Sequence, residues 1–450
     1  MKLSVTEPAQ FPWYLGHCSP WRDVFLSYPG FWRNFAICLE PERYLSGEPC
    51  AISDVDTDRA LAILIACLPR TGNCPFSFEL VLYSYDLCHS SDQNSKSRCG
   101  LQILELLVGQ STRWHDAYIE LHGSGLPVLY MVKDKLPMLR SLRVAMWFPD
   151  EHGGSMDDPS PTHADLFENT PQLRCLHLCE ITSWRVDWSC LTVVHLWYPD
   201  TLEMHLGRLS RISRLEELNI YGRFRDLVLP GTASLTLPYL KILRIGCECI
   251  PLLFRTPILQ ELSIIRRIYI TPSETNGSFS DIISIYLPFL PHLTKLTLCT
   301  DNTRDVEALL QYMPTVSDLC LYFCASNYAR LVSGRPAEYC LYTCTGSILR
   351  LLSECPKARC LKSLTVGLLQ NDKYYLADII TWMKRKSLPV GVHRFDKLEH
   401  LSLVFDAWAD TNFFDVLEEI LRADGIPTSI RKINNEDDSI ILDFFECRGL

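Results

Sequence analysis

Arg143, His177, His195, Asn219 and Arg244 occupy the same place in five copies of one short phrase, and Trp197 and Tyr221 follow two of them by two residues. Guanidinium and imidazole groups set in a row can grip carboxylate or phosphate oxygens. Flanking aromatic rings add rigid contact area. The chemistry this points to is recognition of an acidic or phosphorylated protein target, with no bond made or broken. Later copies place Ser263, Thr297, Cys320, Thr365 and Ser402 at that position, all small and neutral. A plainer reading stays open beside it, in which the row is ordinary polar dressing of a solvated sheet face.

There is no Gly-x-x-x-x-Gly-Lys loop, no Gly-x-Gly-x-x-Gly, no His-Glu-x-x-His and no Gly-x-Ser-x-Gly, so the usual phosphate, dinucleotide, zinc-protease and nucleophile-elbow signatures are missing. Asp54-Val-Asp-Thr-Asp58 imitates the start of a calcium loop, but Arg59 stands where that loop needs glycine and Ile65 where it needs glutamate. Carboxylates there suit the positive end of a helix instead. Cys247/Cys249, Cys340/Cys344 and Cys355/Cys360 lack the paired Cys-x-x-Cys spacing of a structural zinc site. Cys324 sits where leucine-rich repeats place Asn or Cys, and Cys67 reads as a small core residue. Lys384-Arg-Lys386 reads as bases at the end of a helix, with a nuclear import signal as the other possibility. The expectation is no enzyme, no cofactor and no metal.

The elements that position the row come from the phrase itself. Leu136-Pro-Met-Leu-Arg-Ser-Leu-Arg-Val144 returns at 170–178, 237–245, 256–264, 290–298 and 313–321, with looser copies at 189–196, 212–220, 360–366 and 395–403. Each reads Leu-x-x-Leu-x-Leu. The last two apolar residues are two apart and share one side of a short strand, so the residue between them faces the other way. Pro137, Pro171, Pro238, Pro257, Pro291 and Pro314 fix φ at the entry. One such strand cannot bury its apolar side alone, and stacked copies form a parallel sheet over a leucine core.

The anchor residues are Leu139, Leu173, Leu191, Leu215, Leu240, Leu259, Leu293, Val316, Leu361 and Leu398. Their spacing ranges from 18 residues (Leu173 to Leu191) to 45 (Val316 to Leu361), against about 20–29 in regular leucine-rich repeats. An irregular α/β leucine-rich repeat solenoid follows: a horseshoe with a parallel concave sheet, return helices outside, and a further unit expected between 321 and 361. Helical spacing appears at 305–312, 374–384 and 413–421. Upstream, 56–69 and 100–109 read as helices and 76–83 and 114–121 as strands. Residues 88–99, 146–165 and 271–281 read as exposed insertions.

With 53 acidic against 43 basic residues the net charge is −10. That disfavours nucleic acid, which calls for a dense basic stripe. Hydrophobic residues make up 47%, and the longest apolar run, 60–68, is too short to cross a bilayer. With no secretory signal read at the start, a cytoplasmic or nuclear protein with reduced thiols is expected, with no membrane contact.

Residues 11–32 carry a more specific pattern. Leu15, Gly16, Cys18, Trp21, Arg22, Leu26, Ser27, Pro29 and Trp32 match the phrase that closes an F-box and leads out of it. The chain resembles large fungal F-box-like leucine-rich repeat proteins. The likeness continues through Leu64–Leu80 and Trp114, and the repeats extend it to most of the chain. One residue is missing between Gly16 and Cys18, and the opening Leu-Pro-x-Glu-Ile-Leu type of phrase is absent. The resemblance implies a substrate-recognition subunit of a cullin-type ubiquitin ligase, its target held on the concave face. Docking to the ligase adaptor is expected only if an F-box helix is encoded ahead of Met1. The alternative is a stand-alone leucine-rich scaffold whose residues 11–32 simply cap the first repeat. Residues 1–45 are accordingly read as a helical F-box-like cap and 46–450 as the repeat domain.

Overall fold

The computed structural model describes Asp23 and residues 27–39, 54–82, 96–122, 125–147, 165–179, 184–197, 202–221, 235–246, 254–265, 289–300, 315–323, 360–368, 399–405 and 428–432. The expected helices at 305–312, 374–384 and 413–421 and the insertion at 271–281 lie outside these residues. The chain divides into two compact units, residues 1–215 with 221–224, and residues 216–220 with 225–450.

In the first unit six strands run parallel, each paired with the next in chain order: β1 (Asn34–Leu39), β2 (Phe76–Leu82), β3 (Trp114–His122), β4 (Ser141–Trp147), β5 (Cys175–Cys179) and β6 (Val193–Trp197). Helix α1 (Asp54–Cys67) lies between β1 and β2 in sequence, and α2 (Lys96–Val108) between β2 and β3. The aspartates of the calcium-like phrase thus open α1, where carboxylates favour the helix dipole. Two shorter helices follow, α3 (Leu126–Leu129) and α4 (Leu202–Leu209). Helix α1 buries Ala60, Leu64 and Cys67, and α2 buries Ile103, Leu104, Leu107 and Val108, the i, i+4 stripes that an amphipathic helix turns toward a core.

The second unit contains β7 (Glu217–Tyr221, residues 217–220 in this unit), β8 (Leu235–Thr236), β9 (Ile242–Ile245), β10 (Phe254–Arg255), β11 (Glu261–Ile265), β12 (Lys295–Thr300), β13 (Asp318–Phe323), β14 (Ser363–Leu368), β15 (His400–Phe405) and β16 (Thr428–Lys432). The parallel order is β7-β9-β11-β12-β13-β14-β15-β16, while β8 and β10 form a separate pair. Each unit therefore stacks parallel strands in chain order, as in solenoid-like α/β folds, and the described helices, few in number, all lie in the first unit. No described helix is long and apolar enough to cross a membrane.

The repeated phrase acts through its turn and through one carbonyl. The anchor N–H donates back to the residue before the proline: Leu173 to Thr170 at 3.1 Å, Leu240 to Leu237 at 3.3 Å, Leu259 to Thr256 at 3.2 Å and Leu293 to Leu290 at 3.2 Å. Proline thus fills the second position of a β-turn, where its fixed φ is already correct. After the anchors Leu173, Leu191, Leu240, Leu259, Leu293, Val316 and Leu361, two consecutive N–H groups donate to one carbonyl of the preceding repeat. Arg174 and Cys175 share the oxygen of Arg140, and Thr192 and Val193 share that of Arg174. In the second unit the accepting carbonyls are Glu216, Lys241, Gln260, Thr294, Ser317 and Lys362 in turn.

This fixes the core register. Leu142, Leu176 and Val194 align in the first unit. Leu218, Leu243, Leu262, Leu296, Leu319, Leu364 and Leu401 align in the second. Anchors and strand leucines are buried wherever both are described.

Three expectations change. β13 pairs directly with β14, so the sheet has no place for a further strand between 321 and 361. β1 falls within the segment read as a helical cap: Phe35, Ile37 and Leu39 are buried and carry no Leu-x-x-Leu phrase to mark them. β16 was not foreseen for the same reason. At the second unit's β13–β14 junction, Tyr322 lies opposite Gly367, and a Cβ added at Gly367 would overlap the buried Tyr322 ring. Gly367→Ala is expected to cost the second unit about 1–3 kcal/mol, the usual range for overpacking, read as a lowered urea midpoint at unchanged slope.

Candidate functional site

In the first unit the register brings Tyr118, Arg143, His177 and His195 side by side on β3, β4, β5 and β6. All four are half-buried. They alternate with buried Ile119, Val144, Leu178 and Leu196, so they face away from the core. The Arg143 guanidinium carbon lies 4.3 Å from the Tyr118 ring centroid, close enough for a cation–π contact that holds the long side chain in place. The His177 and His195 rings are in contact, tilted by 45° with centroids 3.8 Å apart. Cys175 Sγ is 3.1 Å from His177 Nε2. Tyr118 donates its hydroxyl proton to the Glu120 carboxylate. Below them Asp116 accepts from Ser77 Oγ at 2.6 Å and lies 2.9 Å from His115 Nδ1.

The second unit treats its part of the row differently. Arg244 is 17% exposed and bridges two carboxylates, donating to Glu217 on one side and to Glu261 at 3.1 Å on the other. Glu217 also accepts from Asn219 Nδ2 at 3.1 Å, and Glu261 is 3.3 Å from Lys295 Nζ. The guanidinium is neutralised by its own chain. Asn219 is 0% exposed, so it offers no surface. Ser263, Thr297, Thr365 and Ser402 are buried as well. Short side chains on strands about 4.8 Å apart are overtopped by taller neighbours, and the expectation of a solvated polar face fails for them. Burial also pushes the Cys320 thiol up, while hydrogen bonds from Thr365 and Thr297 act the other way.

Trp197 and Tyr221 were expected to project beside the row. They are 8% and 2% exposed and pack their rings on each other at 5.0 Å. They are packing residues. Of the expected partner-binding set, the structure leaves Arg143, His177 and His195 together on one partly exposed face. Sequence reasoning missed Tyr118, Glu120 and Cys175. The i, i+2 spacing of Cys175 and His177 on a strand was a usable signal for one of them.

A fourth histidine in the first unit is not part of this face. His205 on α4 is 2% exposed and its Nδ1 has no hydrogen-bond partner among the described residues. Burial, with Arg208 as a lesser cause, pushes it down to about 4.

Among the described residues no three of His, Cys, Asp and Glu converge into a group that could hold a metal. Cys67 is buried, and burial pushes its thiol up to about 11. Of the residues matched to an F-box, Pro29 opens a short 3-10 helix, Pro29–Trp32, and Trp32 is buried beneath the Arg70 guanidinium, 5.3 Å away. Leu15, Cys18, Trp21, Arg22 and Leu26 lie outside the described residues. Trp114 is fully buried and donates Nε1–H to the Leu107 carbonyl at 2.9 Å. No family model matches the chain, and no characterised protein is significantly similar to it.

The His205 shift has a defined pH consequence. The unfolded chain protonates near 6.5 and the folded one near 4. The stabilising preference for neutral imidazole is therefore complete above about pH 6.5 and is lost as pH falls toward 4. The loss is on the order of 3 kcal/mol. His205→Leu is expected to flatten this part of the stability profile, measured by urea unfolding at a series of pH values.

Proposed function

We propose that this chain is a non-enzymatic protein-interaction module. In this reading it is built as a leucine-rich repeat horseshoe and similar in role to the target-holding subunits of cullin-type ubiquitin ligases. The supporting observation is the row Tyr118, Arg143, His177, His195, which presents three nitrogen-rich side chains in register on a partly exposed face of the first unit. A guanidinium steadied on an aromatic ring gives up little further freedom when it pairs with a carboxylate or phosphate. The target is accordingly an acidic or phosphorylated protein segment. Residues 11–32 are read as F-box-like, and of them Trp32 is buried.

Fluorescence anisotropy with acidic and phosphoserine peptides tests the reading on the full chain. Replacing Arg143, His177 and His195 together by alanine should weaken binding at least about tenfold, as expected for central charged contacts. Arg244→Ala should leave binding nearly unchanged, because Glu217 and Glu261 already occupy that guanidinium. Unaltered binding by the triple variant would refute the assignment. A pull-down of the ligase adaptor, done in parallel, separates a ligase receptor from a stand-alone scaffold.

A further inference from the structure

We propose that Cys175 and His177 form a nucleophile–base pair, making Cys175 a thiol that hydroperoxides oxidise selectively. The two residues are i and i+2 on β5, on the side opposite buried Leu176 and Leu178. The sulfur and Nε2 are 3.1 Å apart. His177 is packed against the His195 ring, tilted to it with centroids 3.8 Å apart, and its neighbour across the sheet is Arg143. A thiol within hydrogen-bond reach of an imidazole that a third group orients is the arrangement that activates cysteine. Three other described cysteines are placed differently. Cys67 is buried, and Cys190 contacts only Ser189 and Asp187 in its hydrogen bonds, at 3.8 and 3.9 Å. Cys360 is exposed on the surface.

The step balances with the peroxide as co-reactant. The Cys175 thiol gives its proton to Nε2 of His177, and the sulfur attacks the distal oxygen of the hydroperoxide. An S–O bond forms and the O–O bond breaks. The departing alkoxide or hydroxide takes the proton back from His177. Cysteine sulfenic acid and an alcohol or water result, the sulfur oxidised by two electrons and the peroxide reduced by two. This chemistry stands apart from peptide binding and has its own readout.

The test treats the full chain with limiting hydrogen peroxide at neutral pH, traps sulfenic acid with dimedone and locates the adduct by peptide mass spectrometry. Cys175, although half-buried, should be labelled about tenfold or more faster than exposed Cys360, the scale that a positioned base provides. His177→Gln should bring Cys175 down to the rate of Cys360. His177→Phe, which keeps a ring against His195 and removes the base, should do the same. The wild-type ranking needs no variant: Cys175 reacting no faster than Cys360 overturns the proposal. So does a folded His177 variant that reacts as fast as wild type.

Discussion

Within each unit, successive copies of the phrase are tied by a shared carbonyl oxygen. The oxygen of Arg174 takes the N–H groups of Thr192 and Val193, and that of Gln260 takes those of Thr294 and Lys295. The anchor leucine beside each carbonyl is buried, and in five of the copies the N–H of that leucine closes the proline turn. Because the tie is made at the turn, what lies between turns is free to vary in length. The 18 residues from Leu173 to Leu191 and the 45 from Val316 to Leu361 both end in the same register. A slip of one residue would carry every core leucine to the wrong side, so the tie decides what the opposite side displays.

That display has two outcomes from one template. Arg143 and Arg244 hold the same place in the phrase. In the first unit Arg143 rests on the uncharged ring of Tyr118. In the second unit carboxylates two residues earlier, on the neighbouring strands β7 and β11, enclose Arg244. A partly buried, doubly paired guanidinium positions strands. The two arginines differ in their neighbours, an aromatic ring for one and two carboxylates for the other.

The anchors and the paired leucines were legible because each carries its own local signal, a proline turn and a two-residue period. β1 and β16 were not, since Asn34–Leu39 and Thr428–Lys432 have strand character without the phrase. The length between Val316 and Leu361 suggested another strand; length alone does not say whether chain enters the sheet. For the face, the row could be read, but burial could not. Asn219, Trp197 and Tyr221 lose their surface to neighbours that only the stacked structure brings near. The fate of Arg244 was partly visible, since Glu217 and Glu261 hold the same place in their own phrases, two residues ahead of Asn219 and Ser263. Reading those positions across copies, rather than along one, would have found the bridge.

Amide hydrogen exchange resolved to single residues tests the shared-carbonyl ladder most directly. Slow exchange is expected for both N–H groups of each pair that shares a carbonyl, including Lys362 and Ser363, which bond to Ser317 across the 45-residue interval. Protection at Arg174, Cys175, Gln260 and Glu261 together with rapid exchange at Lys362 and Ser363 would contradict it, because the direct pairing of β13 with β14 would then be absent.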